Sequence, residues 1–245
     1  MIPKIEECIQ IVSDSIISQQ NLNNISFALE VRTQRWYKDL LQECREIKST
    51  AELLLVDLYA FIKSDRILGH VNSLLKSSIE VSSLKSLYSI LSSYKYTECC
   101  ILVLDSLLGH IHNEIAVDKN LGNINDIFAA YEKLIELSSC NTADQLKDCM
   151  NYMKSILSFI EQYSDQADVE YPLLYLISKA WNLGVEEYDY ERDHTAKDLF
   201  LIAKAGIDIS NSIIDKAADM KYNRLQTYVN RWGKSITEAA NVFID

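Results

Sequence analysis

Histidines, cysteines and closely spaced carboxylates are the residues of this 245-residue chain that could ligate a metal or move a proton, and their spacing does not gather them. His110 and His112 would point about 200° apart on a helix. A zinc site recruiting Cys99 or Cys100 would need its other ligands from separate helices. Glu191-Arg192-Asp193-His194 has the Glu-x-x-His spacing of a di-metal carboxylate bundle, which requires a second copy that the sequence lacks. The surrounding acidic turn (Glu186, Glu187, Asp189, Glu191, Asp193) is no calcium loop. His194 stands at the sixth position, where glycine is needed, and Phe200 where a bidentate glutamate is needed. Gly233-Lys234-Ser235 ends like a phosphate-binding loop, yet Tyr228 replaces its first glycine and no strand precedes it. No serine or cysteine nucleophile has a histidine at a readable spacing. The expectation is a protein without catalytic residues, metal or cofactor.

What remains is architecture. Two prolines and six glycines in 245 residues cannot supply the turns of a β-rich domain, and from Lys4 to Tyr171 there is no proline. At 48% hydrophobic the chain can bury a core, so an all-α fold follows. A net charge of −11 disfavours a nucleic-acid partner, and the basic run Arg32–Lys48 reads as a solvated helix face. The six cysteines (Cys8, Cys44, Cys99, Cys100, Cys140, Cys149) have no disulfide-framework spacing. The opening residues lack a signal peptide's apolar stretch, and no apolar run approaches a membrane span. A soluble intracellular protein is expected, its Asn24-Ile25-Ser26 sequon without meaning.

Helical periodicity divides the chain. Helices are expected over Ile5–Ser18, Ser26–Ile47, a segment capped near Ser49 and Thr50, Val81–Ser93, Thr97–Ile115, Ile124–Ser138 and Ala143–Tyr163. Ser235-Ile-Thr-Glu238 has the form of a capping box opening a short terminal helix. Asp65–Val71 and Asp105–Ile111 match as D-x-(I/L)-L-G-H-(V/I), forty residues apart, which suggests a helical repeat. Loops are short, so 1–245 is expected to be one continuous body of stacked antiparallel helix pairs.

The best-defined pair is Tyr171–Ala205, two amphipathic helices joined by the acidic turn. Leu183, Gly184, Ala196, Phe200 and Ala203 fall on the offsets of a tetratricopeptide hairpin. Trp181 and Tyr188 stand one residue C-terminal to that pattern's aromatics. A glycine inside a helix costs about 1 kcal/mol relative to alanine, so Gly184 is expected to admit a close partner helix through Ala196 and Ala203. Phe200 would then fill the space toward the neighbouring hairpin. Trp181 and Tyr188, seven residues apart, share a face and would anchor their helix to the preceding pair. The fold expected is an α-solenoid whose concave surface docks a peptide or helix of another protein.

Ala180-Trp181-Asn182-Leu183-Gly184, followed by a turn and the Ala196-x-x-x-Phe200-x-x-Ala203 helix, resembles the Ala-Trp-Asn-x-Gly hairpin of the meiotic Zip-four/sporulation family. The resemblance covers about Glu170–Trp232. It implies a nuclear, non-enzymatic scaffold of crossover formation and synaptonemal-complex assembly. A generic cytoplasmic tetratricopeptide adaptor, or a phosphopeptide-binding helical adaptor of the fourteen-three-three type, are the alternatives; for the latter no arginine–tyrosine phosphate cluster is present.

Overall fold

The computed structural model describes residues 31–77, 79–118, 124–139, 142–165, 168–216 and 222–242, together with Gln10 and Asp14. The rest of the helix expected over Ile5–Ser18, the sequon at Asn24, Cys8 and Cys140 lie outside the described residues. Among the described residues the chain is helical throughout, with no strand: α1 (Val31–Phe61), α2 (Ile67–Leu75), α3 (Val81–Ser93), α4 (Thr97–Asp118), α5 (Ile124–Ser138), α6 (Ala143–Tyr163), α7 (Glu170–Asp189), α8 (Asp193–Lys216) and α9 (Asn223–Val242). Contacts divide the chain into two compact units, Met1–Asn113 and Glu114–Asp245.

In the first unit α2 and α3 pack on α1. Val56, Tyr59 and Ala60 of α1, Ile67, Val71 and Leu74 of α2, and Leu84, Leu87 and Leu91 of α3 are buried at the three- and four-residue spacings that put them on one stripe of each helix. Residues Ser26–Ile47 and the segment after Thr50 were expected to be separate helices; α1 instead runs without a break across Ser49 and Thr50. Thr50 does not cap. Its hydroxyl donates to the carbonyl of Glu46 at 2.8 Å, a back-bond that satisfies it inside a helix. Ser49 shares a 2.8 Å hydrogen bond with Ser83 of α3.

The D-x-(I/L)-L-G-H-(V/I) match is not a structural repeat. Asp65–Val71 crosses from a turn into the start of α2, whereas Asp105–Ile111 lies in the middle of α4. A Cβ on Gly69 or Gly109 would meet nothing within 4 Å, so neither glycine serves a close approach. What the two stretches share is a helical stripe: Ile67 and Val71 are buried in one, Leu107, Leu108 and Ile111 in the other.

Helix α4 also corrects the reading of apolar runs. Its segment Thr97–Ala116 is long and apolar enough to cross a membrane by length and composition, with a mean hydropathy of 1.2. Within the protein it buries Cys99, Cys100, Val103, Leu104, Leu107, Leu108, Ile111 and Ile115 as a core helix does. Burial pushes the Cys100 thiol up to about 11, with Cys99 beside it adding to the shift, and burial raises Cys99 as well. The nucleophilic thiolate is therefore scarce near neutrality.

Three helices end alike. Lys63, Lys95 and Glu191 have φ of 53°, 63° and 59°. Each is followed by a residue whose amide reaches five residues back: Ser64 to Tyr59, Tyr96 to Leu91 and Arg192 to Glu187. These are Schellman ends, which favour glycine at the left-handed residue. Here charged side chains take that position, so no glycine marks the turns in the sequence.

In the second unit α5 pairs with α6, α7 with α8, and α8 with α9, while α6 also touches α8 and α7 also touches α9. Thr142 caps α6 by accepting from the Gln145 amide at 3.2 Å. The Ser235–Glu238 motif opens no helix, because α9 runs through it and Lys234 and Glu238 form a 3.6 Å pair one turn apart. Instead α9 is capped from a distance. Glu170 at the start of α7 accepts from the amides of Arg224 (2.9 Å) and Leu225 (3.1 Å), fifty-four and fifty-five residues along the chain. A carboxylate on the amides of a helix's first turn is favoured by both hydrogen bonding and the helix dipole. Glu170→Ala is expected to cost about 1 kcal/mol and to speed hydrogen exchange at the Arg224 and Leu225 amides. Glu170→Gln, which keeps an acceptor oxygen, should lose less; unchanged exchange in Glu170→Ala would refute the cap.

Candidate functional site

The site grows from the seam between α7 and α8. A Cβ on Gly184 would lie 2.7 and 2.8 Å from Cε1 and Cδ1 of Phe200, and one on Gly206 would lie 2.5 Å from Cγ1 of Ile177. Each glycine therefore makes room for one large side chain of the opposite helix. The two contacts, Gly184 with Phe200 and Ile177 with Gly206, set an antiparallel register that brings Ala180 level with Ala203. Leu173, Ile177, Ala180, Ala203 and Ser210 are completely buried along this seam. The hydroxyl of Ser210 is satisfied by donating to the Gly206 carbonyl at 2.7 Å.

Phe200 is thus buried in the hairpin's own seam on Gly184, and from there it also meets the neighbouring helix α9. Ala196 and Ala240 of α9 complete its cluster, with Trp181 and Leu201 packed against it. Trp181 lies on the Phe200 ring, the centroids 5.2 Å apart. The Trp181–Tyr188 face does not anchor α7 to the preceding pair. Tyr188 is 54% exposed and Trp181 turns toward α9. The tie to α5 is made by Tyr171 and Tyr175, stacked at 6.5 Å. Their hydroxyls donate to the Glu132 carboxylate (3.2 Å) and to its carbonyl oxygen (3.4 Å). Burial, with Glu136 and Glu132 adding their charge, pushes the Tyr175 phenol up, so it stays a protonated donor.

Between α7 and α9 a cleft of about 230 Å³ is lined by Ser178, Trp181, Asn182, Tyr228, Trp232 and Ile236. Tyr228, Trp232 and Ile236 follow at four-residue steps along one face of α9. The Ser178 hydroxyl donates to the Tyr228 oxygen at 3.1 Å and braces one wall. Trp232 remains 43% exposed, with the Arg231 guanidinium 5.1 Å from its ring centroid. The Ala-Trp-Asn triplet divides its tasks here. Ala180 is buried in the hairpin, Trp181 is half-buried against Phe200, and Asn182 faces solvent at the cleft. Tyr228 and Trp232 were not foreseen as partners of this triplet, although their four-residue spacing was a legible signal of a shared face.

The turn end of the hairpin holds a second, larger cleft of about 690 Å³, lined in part by Leu146, Met150, Leu183, Glu187, Arg192 and Asp198. The acidic turn is not wholly solvated. Glu186, Asp189, Glu191 and Asp193 are exposed, but Glu187 is buried, and Arg192 Nη1 lies 3.1 and 3.2 Å from its two oxygens. The pair joins the residues that a Schellman end ordinarily links by an apolar contact. Leu183 is buried near this turn end, and Ala196 is buried at the other helix of the seam.

Among the described residues no three histidine, cysteine, aspartate or glutamate side chains come together as metal ligands. No family model, curated protein or solved structure matches the chain.

Removing Arg192 would leave the Glu187 carboxylate buried without its partner, which is the expensive way to break an ion pair. Arg192→Ala should destabilise the protein by about 1–3 kcal/mol. Glu187→Gln should cost less, and adding it to Arg192→Ala should recover part of the loss in a double-mutant cycle read by denaturant unfolding. Strictly additive effects would show that the pair is unimportant.

Proposed function

We propose that this chain is a non-enzymatic helical scaffold that binds other proteins, and that the cleft between α7 and α9 is where a peptide or helix of the partner docks. The observation that carries this reading is the combination of a solvent-facing Trp232, the Tyr228 and Trp181 rings and the Asn182 amide around one small cleft. Aromatic side chains supply large contact area at low entropic cost and dominate binding energy where they insert or are inserted upon. The polar Asn182, Ser178 and Tyr228 groups would fix register and specificity.

The alternating contacts of the second unit, each helix meeting its neighbour and several meeting the next but one, support a stacked-hairpin arrangement of tetratricopeptide type. The resemblance of Ala180-Trp181-Asn182-Leu183-Gly184 to the meiotic Zip-four/sporulation family gives this scaffold its setting: a nucleus, where it would hold crossover and synaptonemal-complex factors together. A generic cytoplasmic adaptor would use the same cleft and differ in its partners.

The test is affinity capture from germline and somatic extracts with the wild-type chain, Trp232→Ala and Asn182→Ala. Both substituted side chains are solvent-accessible, so the fold should be retained by circular dichroism. The proposal expects recombination or synapsis proteins to be held by the wild type from germline extract, with Trp232→Ala weakening the isolated interaction by about 2 kcal/mol, roughly thirtyfold. Equal capture of the same partners from both extracts would favour the generic adaptor. Partners retained equally by all three chains would refute the α7–α9 cleft as the docking site.

A further inference from the structure

Helix α1 carries an apolar face that the described residues of the first unit leave partly open. Its core side is formed by Leu41, Leu55, Val56, Tyr59 and Ala60. About a third of a turn away, Leu40, Cys44, Ile47, Ala51, Leu54, Leu58 and Phe61 follow one another at alternating intervals of four and three residues. That is the spacing of the a and d positions of a coiled coil, sustained over three heptads. In this frame Cys44, Ala51 and Leu58 are a positions and are half-buried. Ile47, Leu54 and Phe61 are d positions and are 60, 54 and 71% exposed. Three large apolar side chains on one line, seven residues apart and open to water, are more than scattered surface hydrophobics.

The charges beside the seam select an occupant. Glu43 holds a g position and Lys48 the e position of the following heptad, the two positions that meet across a parallel two-stranded coiled coil. A second copy of the chain, parallel and in register, would place Glu43 of each copy against Lys48 of the other. In an antiparallel pair the g positions face each other, and Glu43 would meet Asp57 of the other copy, like against like. Within one chain Lys48 lies 3.7 Å from the Glu52 carboxylate one turn on, a pair that engages one of its three donors. We propose that α1 pairs in parallel with α1 of a second copy of this chain through the Leu40–Phe61 seam.

The sequence contains its own reporter of that geometry. Cys44 is an a-position residue, and in a parallel in-register pair it faces Cys44 of the other copy at a separation a disulfide can span. In the antiparallel register that sets Glu43 against Asp57, Cys44 would lie level with Val56, and the two Cys44 thiols would be far out of disulfide reach. Treatment of the full chain with copper–phenanthroline should therefore give a cross-linked dimer: two Cys44 thiols lose two protons and two electrons to the oxidant as the S–S bond forms. The band should vanish in Cys44→Ser and on reduction. In sedimentation velocity over a concentration series, the unoxidised wild type should be a dimer. Leu54→Glu, at an exposed position that should leave helicity unchanged, should run as one chain at the same concentrations. Lys48→Glu should weaken association, and adding Glu43→Lys should restore it by reversing the pair. A chain that is monomeric throughout overturns the proposal. So does a dimer indifferent to Leu54→Glu, or one that Leu54→Glu dissociates but that forms no Cys44 cross-link.

Discussion

The close approach of α8 to α7 is the constraint on which the candidate site depends. Two backbone surfaces without side chains, at Gly184 and Gly206, receive the ring of Phe200 and the branch of Ile177. In a helix each glycine gives up about 1 kcal/mol of propensity relative to alanine. Close packing of a buried aromatic and a buried isoleucine offsets that loss, since each such side chain contributes about 1.5–3 kcal/mol on leaving water. Because Phe200 is set into Gly184, Trp181 can lie on its ring and Ala240 can close over the cluster. The position of α9 follows, and with it the cleft between Asn182 and Trp232.

A second set of ties holds α7 to its neighbours. Glu170 reaches from the first turn of α7 to the first turn of α9, and Arg192 pairs with the buried Glu187 where α7 gives way to α8. Tyr171 and Tyr175 meet Glu132 of α5. These are polar contacts, and those of Glu170 and Glu132 join residues far apart in sequence, whereas the seam itself is apolar. The apolar contacts supply adhesion and the polar ones fix rotation and height, because a hydrogen bond is directional and a hydrophobic contact is not.

Much of the helical layout was legible because it rests on local signals. The bounds of α3, α5 and α6 coincide with those expected from periodicity, and the α7–α8 hairpin falls where its small residues indicated. Errors arose where a local signal was satisfied in another way. Thr50 bonds back to Glu46 within a helix, and Ser235 and Glu238 sit inside α9, so two apparent caps mark no boundary. Conversely, Lys63, Lys95 and Glu191 close helices at positions where a glycine would have announced the turn. The cleft was less visible than the hairpin. Trp181 was recognisable as an aromatic at helical spacing, but its contact with α9 depends on the return of the chain some fifty residues later, as Ser178 and Tyr228 show. Gly206 carries no tetratricopeptide offset, and its role appears only against Ile177.

The most direct test of this dependence compares two glycines of the second unit. At Gly233 an added Cβ would sit 3.4 and 3.5 Å from Val229 and Ile207, ordinary packing distance, whereas at Gly184 it would press into the Phe200 ring. Alanine is favoured over glycine in a helix by about 1 kcal/mol, and overpacking a tight core costs about 1–3 kcal/mol. Denaturant unfolding of the two single variants should therefore show Gly233→Ala as stable as the wild type or more so and Gly184→Ala as destabilised. Replacing Phe200 by leucine in the Gly184→Ala background should recover part of the loss. Equal stabilisation by both alanines would contradict the account, because it would mean that α8 has room to spare where the structure brings it closest.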